Sequence, residues 1–458
     1  MTSNFSKENS SFRDPSGFLF YENGILFRQI NKSYEKHYLK LMSSGLYDEL
    51  ISKNLMISHE DVDISVKSLD GFKIIKPEKI QFISYPYEWS FSQFRDAAIL
   101  TLEIQKIALK HNMVLKDASS YNIQFKNNHP IFIDSLSFEE YVEGQTWNAY
   151  GQFCRHFVAP IALMSNKDIR LQQLLRIHID GIPLDLASKL LPIKTLAMFS
   201  LISHIHFHSK SEKKYSSKKI NVKKINMKRR SFEGLIENLL SGIKKSKLKL
   251  EDTEWGDYYD DTNYTDESFN EKQKIVKEFL NLSNPDVVWD LGSNTGIFSR
   301  IASETCSTVI SFDIDPLAIE KNYIYLKNKN VKNILPLLMD LANPSGNIGW
   351  DNNERMSLIN RGPTDMILAL ALIHHLVITN NIPLDRLVNF FQKLTRYLII
   401  EFIPKEDSQI SRLLVSREDI FKNYDKQIFE NEFSKKFNII KTVNIKNTLR
   451  TLYLMKKI

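Results

Sequence analysis

Apolar positions along the chain recur with a period near two in some stretches and near 3.6 in others, and the alternation marks its elements. Residues 17–21 and 24–28 are apolar runs around Glu22-Asn23, with Asn23-Gly24 as a hairpin signal. Tyr38, Leu41, Met42, Leu46 and Leu50 fall at helical spacing, residues 72–75 and 80–85 read as strands, and residues 91–110 read as a long helix. A loop, a strand, a turn at Lys126-Asn127-Asn128 and a second strand follow over residues 115–135. Residues 145–205 are expected to be helical, punctuated by Gly181-Ile182-Pro183 and Leu191-Pro192. Alternating His204, His206 and His208 would share one face of a strand. Residues 231–240 form a short amphipathic helix. From there, strand-like runs at 287–291, 307–312, 333–338, 365–370 and 397–402 are spaced by helical stretches. Two further runs, 437–443 and 448–455, close the chain as a strand pair. The pattern predicts an α/β protein: a C-terminal Rossmann-like sheet of seven strands, preceded by an α+β N-terminal domain.

Composition adds boundaries. At 458 residues, two or three domains are expected. Residues 1–16 are polar and read as a disordered tail, 17–208 as the α+β domain, 209–230 as a basic linker and 231–458 as the α/β domain. The net charge of +7 is local: residues 210–230 hold ten Lys/Arg against Glu212, which leaves the remainder close to neutral. Such a run reads as a solvated linker, or as a contact for phosphates or an anionic surface. Tyr215 is its one aromatic residue, so a base-stacking platform is not supported. Cys154 and Cys306 lack disulfide or zinc spacing, which fits a reducing, cytoplasmic setting. The N-terminus lacks the apolar core of a signal peptide, and no run of roughly 18 uncharged apolar residues predicts a membrane span.

The stretch from Asp290 to Gly296 joins a buried strand to a glycine turn and a helix. Gly292 is free to take a positive φ, and Gly296 would let a ligand approach the backbone. The G-x-x-x-G spacing is not the dinucleotide fingerprint. It resembles the first motif of class I S-adenosylmethionine-dependent methyltransferases. The resemblance implies S-adenosyl-L-methionine as cofactor, seated on Asp290, Gly292, Asn294 and Gly296. Asp313 lies 23 residues beyond Asp290, at a strand end where one carboxylate accepts both ribose hydroxyls. Asp315 is a helix cap or the alternative binder. Asp340 resembles the family residue that receives the adenine amino group, since a carboxylate only accepts and an amino group only donates; the other reading is a turn residue. By analogy, Tyr264 and Trp255 belong to an aromatic segment that closes over the cofactor, or they pack on the sheet.

His374 and His375 follow the fourth strand, where a histidine can take a proton from an acceptor. His375 is the first choice as catalytic base, on the assumption that the adjacent pair points in opposite directions; the alternative is that both only shape the site. The Asp/Asn-Pro-Pro-Tyr/Phe motif of amine-directed enzymes is absent, which favours O- or C-methylation. The expected acceptor is a small molecule, a glycan or a lipid-linked intermediate rather than nucleic acid, because the positive charge sits in the linker. The insertion 342–363 is a substrate cap with Trp350 and Arg355 as contacts, and Glu401 faces substrate or pairs with Lys405.

In the N-terminal half, Asp117, Asn122 and Asp134 resemble the catalytic loop and metal-binding hairpin of the protein kinase-like fold. In that family the first is the base and the other two hold magnesium on nucleotide phosphates. Leu115 stands where the family has His, Ser135-Leu136 where it has Phe-Gly, and only Gly24 stands in for a glycine-rich loop. The reading is a degenerate kinase-like domain, with metal at these three residues only if it is active. Three alternatives remain: a bifunctional kinase-like/methyltransferase enzyme, an RNA methyltransferase, or a non-catalytic scaffold.

Overall fold

The computed structural model describes residues 5–208, 226–248, 264–414, 420–421 and 423–458. Most of the basic linker, together with Trp255, lies outside them. The chain divides into two compact units. The first holds residues 1–249 together with Asn347–Arg355, and the second holds Leu250–Gly346 and Met356–Ile458.

The first unit is α+β. Its antiparallel sheet runs β1 (Phe5–Lys7), β2 (Gly17–Glu22), β3 (Ile25–Asn31), β5 (Gly71–Pro77), β4 (His59–Asp61). Asn23 at φ 52 and Gly24 at φ 80 make the β2–β3 turn, as the two positive dihedrals of a tight hairpin require. The expected disordered tail is corrected from Phe5 onward, because Phe5–Lys7 pairs with Phe20–Glu22. The expected strand at 80–85 is also corrected. Ser84 bonds the Gln124 side chain through both its N–H and its carbonyl (2.9 Å each), so a side chain takes the place of a strand partner. The helix Phe91–Lys110 starts in a capping box between Ser90 and Gln93, worth about 1 kcal/mol. It packs against β6 (Met113–Leu115) and β8 (His129–Phe132), which pair with β9 (Phe138–Glu140) and β7 (Ile123–Lys126) respectively. His204 and His206 lie in a helical turn, Ile202–Phe207, held by Tyr150, Asn238, Ser188 and Thr195. They therefore do not share a strand face. The helix Arg229–Lys245 packs on Phe91–Lys110, and Arg229 reaches the Leu109 carbonyl. That helix belongs to the first unit, so the expected boundary at 230/231 falls too early.

The second unit is a seven-stranded sheet in the order β12-β11-β10-β13-β14-β16-β15. Here β10 is Val287–Leu291, β11 Thr308–Asp313, β12 Ile334–Leu338, β13 Thr364–Ala369, β14 Thr395–Phe402, β15 Phe437–Asn444 and β16 Thr451–Lys457. The first five strands pair in parallel and β16 pairs antiparallel on both sides. A parallel sheet covered on both faces needs apolar residues at successive positions, which explains the runs Val288-Trp289 and Met366-Ile367-Leu368. This strand order, with its reversed last pair, is the class I methyltransferase fold. The chain order changes direction between β10 and β13, and open α/β sheets bind ligands at such a switch point.

Candidate functional site

The site grows from the end of β10. Gly292 (φ 78), Asn294 (φ 50) and Gly296 (φ 80) turn the chain sharply before the helix Ile297–Ser303. The Gly292 and Ser293 amides both donate to the Phe312 carbonyl at 2.9 Å, which ties the turn to β11. A Cβ on Gly292 would stand 3.3 Å from the Leu372 side chain. A Cβ on Gly296 would meet the Asn322 amide at 2.5 Å, and Gly296 is not among the residues lining the cavity. Asn322 and the positive φ together leave no room for a side chain at Gly296.

Beside the turn lies a cavity of about 280 Å³. Asp290, Gly292, Asn294 and Asp313 form one side of it, and Asp340 stands at the β12 end. Tyr264 and Lys272 wall another side, and Leu372 and His375 the side nearest β13. Tyr264 and His375, 111 positions apart in sequence, thus line one cavity. His374 is buried outside the lining, and its Nδ1 has no hydrogen-bond partner among the described residues. The two histidine rings do not point apart. Their centroids are 4.1 Å from each other, because the segment enters the helical turn His375–Thr379 instead of extending the strand.

The acids are poised by burial. Asp290 is pushed up to about 7, because burial outweighs the hydrogen bond from Ser299 Oγ (2.6 Å). Asp313 is pushed up to about 6, again by burial, although the Asn294 and Asp315 amides donate to its two oxygens at 2.7 and 2.8 Å. Asp315 caps the helix Pro316–Asn328 through the Leu317 and Ala318 amides. Asp340 accepts from the Ala342 amide (2.9 Å) while lining the cavity, so turn and site roles coincide. His375 is lowered to about 4 by burial and is therefore neutral near pH 7.

Behind the wall, Glu401 is fully buried. Expected to face substrate or to pair with Lys405, it instead accepts from Lys272 Nζ (2.7 Å) and from the Tyr264 hydroxyl. Arg450 stands beside it and is clamped by Asp407 at 2.8 Å. This charge cluster was not anticipated from the sequence. One signal was available: Lys272 interrupts the buried stripe of the helix Asp266–Ser283 at the same spacing as Val276 and Phe279.

In the first unit, Asp117, Asn122 and Asp134 converge, and Asp134 is enclosed by donors. Arg28 of β3 pairs with Asp134 at 2.5 Å. Ser137 Oγ and the Leu136 amide donate to the same carboxylate, and Asn122 donates to Ser137 at 3.1 Å. Burial raises the Asp134 carboxyl, yet the Arg28 guanidinium and these hydrogen bonds outweigh it and hold it below the usual range. Both oxygens of Asp134 are therefore met by donors in this arrangement. Among the described residues no group of three or more His, Cys, Asp or Glu is placed to hold a metal ion. Arg355, expected as a substrate contact, lies 4.1 Å over the Tyr121 ring, and Glu354 pairs with Arg13 at 2.6 Å. Both contacts fall within the first unit, whereas Trp350 is 72% exposed.

No family model matches the chain. Nodulation protein NoeA of Rhizobium meliloti (strain 1021) is 32% identical over 456 residues, covering 98% of this chain and 95% of the relative. The chain belongs to the NoeA family. Among solved structures, N-methyltransferase NodS from Bradyrhizobium japonicum WM9 overlaps 42% of this chain and 97% of its own, at 11% identity and a TM-score of 0.32. WbdD overlaps 44% of this chain and 42% of its own, at 18% identity and a TM-score of 0.31. The fold assignment of this NoeA-family chain rests on its strand order and switch-point cavity. Among the described residues no helix is long and apolar enough to cross a membrane.

Proposed function

We propose that the second unit transfers a methyl group from S-adenosyl-L-methionine to an oxygen or carbon of a small-molecule, glycan or lipid-linked acceptor. The observation that carries this reading is the cavity at the β10/β13 switch point, where Asp290, Asp313 and Asp340 stand on successive strand ends around the Gly292 turn. Asp313 would accept the two ribose hydroxyls on the lone pairs left free by its backbone donors, and Asp340 would accept the adenine amino group. Asn294 and the Gly292 turn would carry the amino-acid end beside Asp290, and Tyr264 would cover it. The bound cofactor supplies an electrophilic methyl on a sulfonium. The task of the protein is then to hold a nucleophile in line with it, roughly 3 Å away. His375, neutral and on the acceptor side, would take the proton of a hydroxyl or an acidic carbon.

Two outcomes test the assignment of roles. His375→Ala should lower methyl transfer by about 10²–10⁴-fold while leaving S-adenosylhomocysteine binding within a few-fold. Equal loss of binding and turnover would remove His375 from the base role. Because Asp313 titrates near 6, its carboxylate is available to the ribose above that pH and is protonated below it. Affinity for S-adenosylhomocysteine should therefore weaken as pH falls from 7 to 5. In Asp313→Asn that dependence should flatten. For the acceptor, extracts incubated with methyl-labelled cofactor and the protein should give label in a small or glycan-bearing fraction by mass spectrometry. Label chiefly in tRNA or rRNA would overturn the acceptor class.

A further inference from the structure

Ala371, the second residue after β13, has φ 49. Left-handed backbone is costly for a residue with a Cβ. Among the described residues, every other non-glycine residue with positive φ is Asn or Asp, whose side chains can bond the local backbone. Alanine has no such group, so its conformation must be held from outside. The Ala371 amide donates to Glu401 Oε2 at 2.7 Å. The same carboxylate accepts from Lys272 and Tyr264, both of which line the cavity. Burial raises the Glu401 carboxyl, but Lys272 and Arg450 outweigh it and keep it charged, so the bond to the Ala371 amide is charge-assisted.

The consequence runs forward along the chain. Leu372 packs against the Gly292 turn, and its carbonyl accepts from the His375 amide at 3.0 Å. From these contacts we infer that Glu401 is a positioning residue: it holds the Ala371–Leu372 turn, and through it sets Leu372 against the cofactor seat and His375 on the acceptor side. It does not line the cavity. Its carboxylate fixes the Tyr264–Lys272 wall and the acceptor-side turn to one point. This inference rests on the cofactor reading given above.

The test is calorimetry with S-adenosylhomocysteine on the full chain. Glu401→Gln should weaken binding about tenfold or more. Adding Ala371→Gly, where glycine takes the same φ without an external hold, should raise affinity at least about threefold above that of Glu401→Gln alone. A purely structural glutamate would give no such recovery, because Ala371→Gly restores no partner to Lys272 or Arg450. Where Glu401→Gln does not fold, Glu401→Asp serves the same comparison; it keeps the charge for Lys272 and Arg450 but falls one methylene short of the Ala371 amide. If wild type binds and the Glu401 variant binds equally well, or if Ala371→Gly fails to recover the loss, the positioning role is overturned. If wild type itself does not bind the probe, it is the cofactor reading that falls.

Discussion

Gly292→Arg is expected to abolish measurable binding of S-adenosylhomocysteine, and Asp313→Ala to weaken it by at least a hundredfold. Two effects combine at Gly292. Its φ of 78 is strained for any residue with a side chain, and its Cβ would already press on Leu372 at 3.3 Å. The rest of an arginine would then extend into a cavity of about 280 Å³, taking the volume a nucleoside needs. At Asp313 the loss is chemical. Two charge-assisted hydrogen bonds to a ribose contribute about 1.5–3 kcal/mol each, and alanine also releases the Asn294 and Asp315 amides that shape the turn. Titration calorimetry of both variants against wild type measures this directly. Unchanged affinity in either would remove the assigned cofactor site.

The glycine turn, Asp313 and Asp340 were readable in the sequence because each sits at a strand end and the strands follow in chain order, so local spacing carries the geometry. Gly296 was read as a place where a ligand approaches the backbone; the approach of Asn322 to the same glycine was not legible, since Asn322 comes from the next helix. The histidine pair was misjudged because strand-like alternation was carried past the end of β13 at Ala369 to the start of a helical turn. The Glu401 cluster was the least legible. Its partners are 129 residues away at Lys272 and 137 at Tyr264, and no local pattern relates a carboxylate on β14 to the segment before β10. Asn347–Arg355 was hidden for a similar reason: in sequence it interrupts the second unit, yet it packs within the first.

The kinase-like resemblance makes the strongest demand on one ion pair. In the first unit Arg28 reaches Asp134 from β3, with both side chains largely buried. Where the family would place a divalent cation, this carboxylate is met by a guanidinium, a serine hydroxyl and a backbone amide. Removing the cationic partner leaves a buried charge without compensation, which costs about 3–5 kcal/mol. Arg28→Met is therefore expected to lower protection of the β7 and β8 amides by that amount in hydrogen exchange on the full chain. Arg28→Met/Asp134→Asn should recover part of the loss, because no charge is then stranded. The pH dependence has a definite sign. Asp134 is depressed below its unfolded value of about 3.9, so its contribution is present above that pH and is lost as pH falls through the lower folded value. An active magnesium-dependent phosphotransferase would behave otherwise: it would turn over ATP in wild type, lose that turnover in Asp134→Ala, and gain protection on addition of Mg²⁺ and ATP. The pairing of Asp134 with Arg28 predicts neither turnover nor added protection. Magnesium-dependent phosphate release by the wild-type chain would show that this ion pair opens to admit the metal.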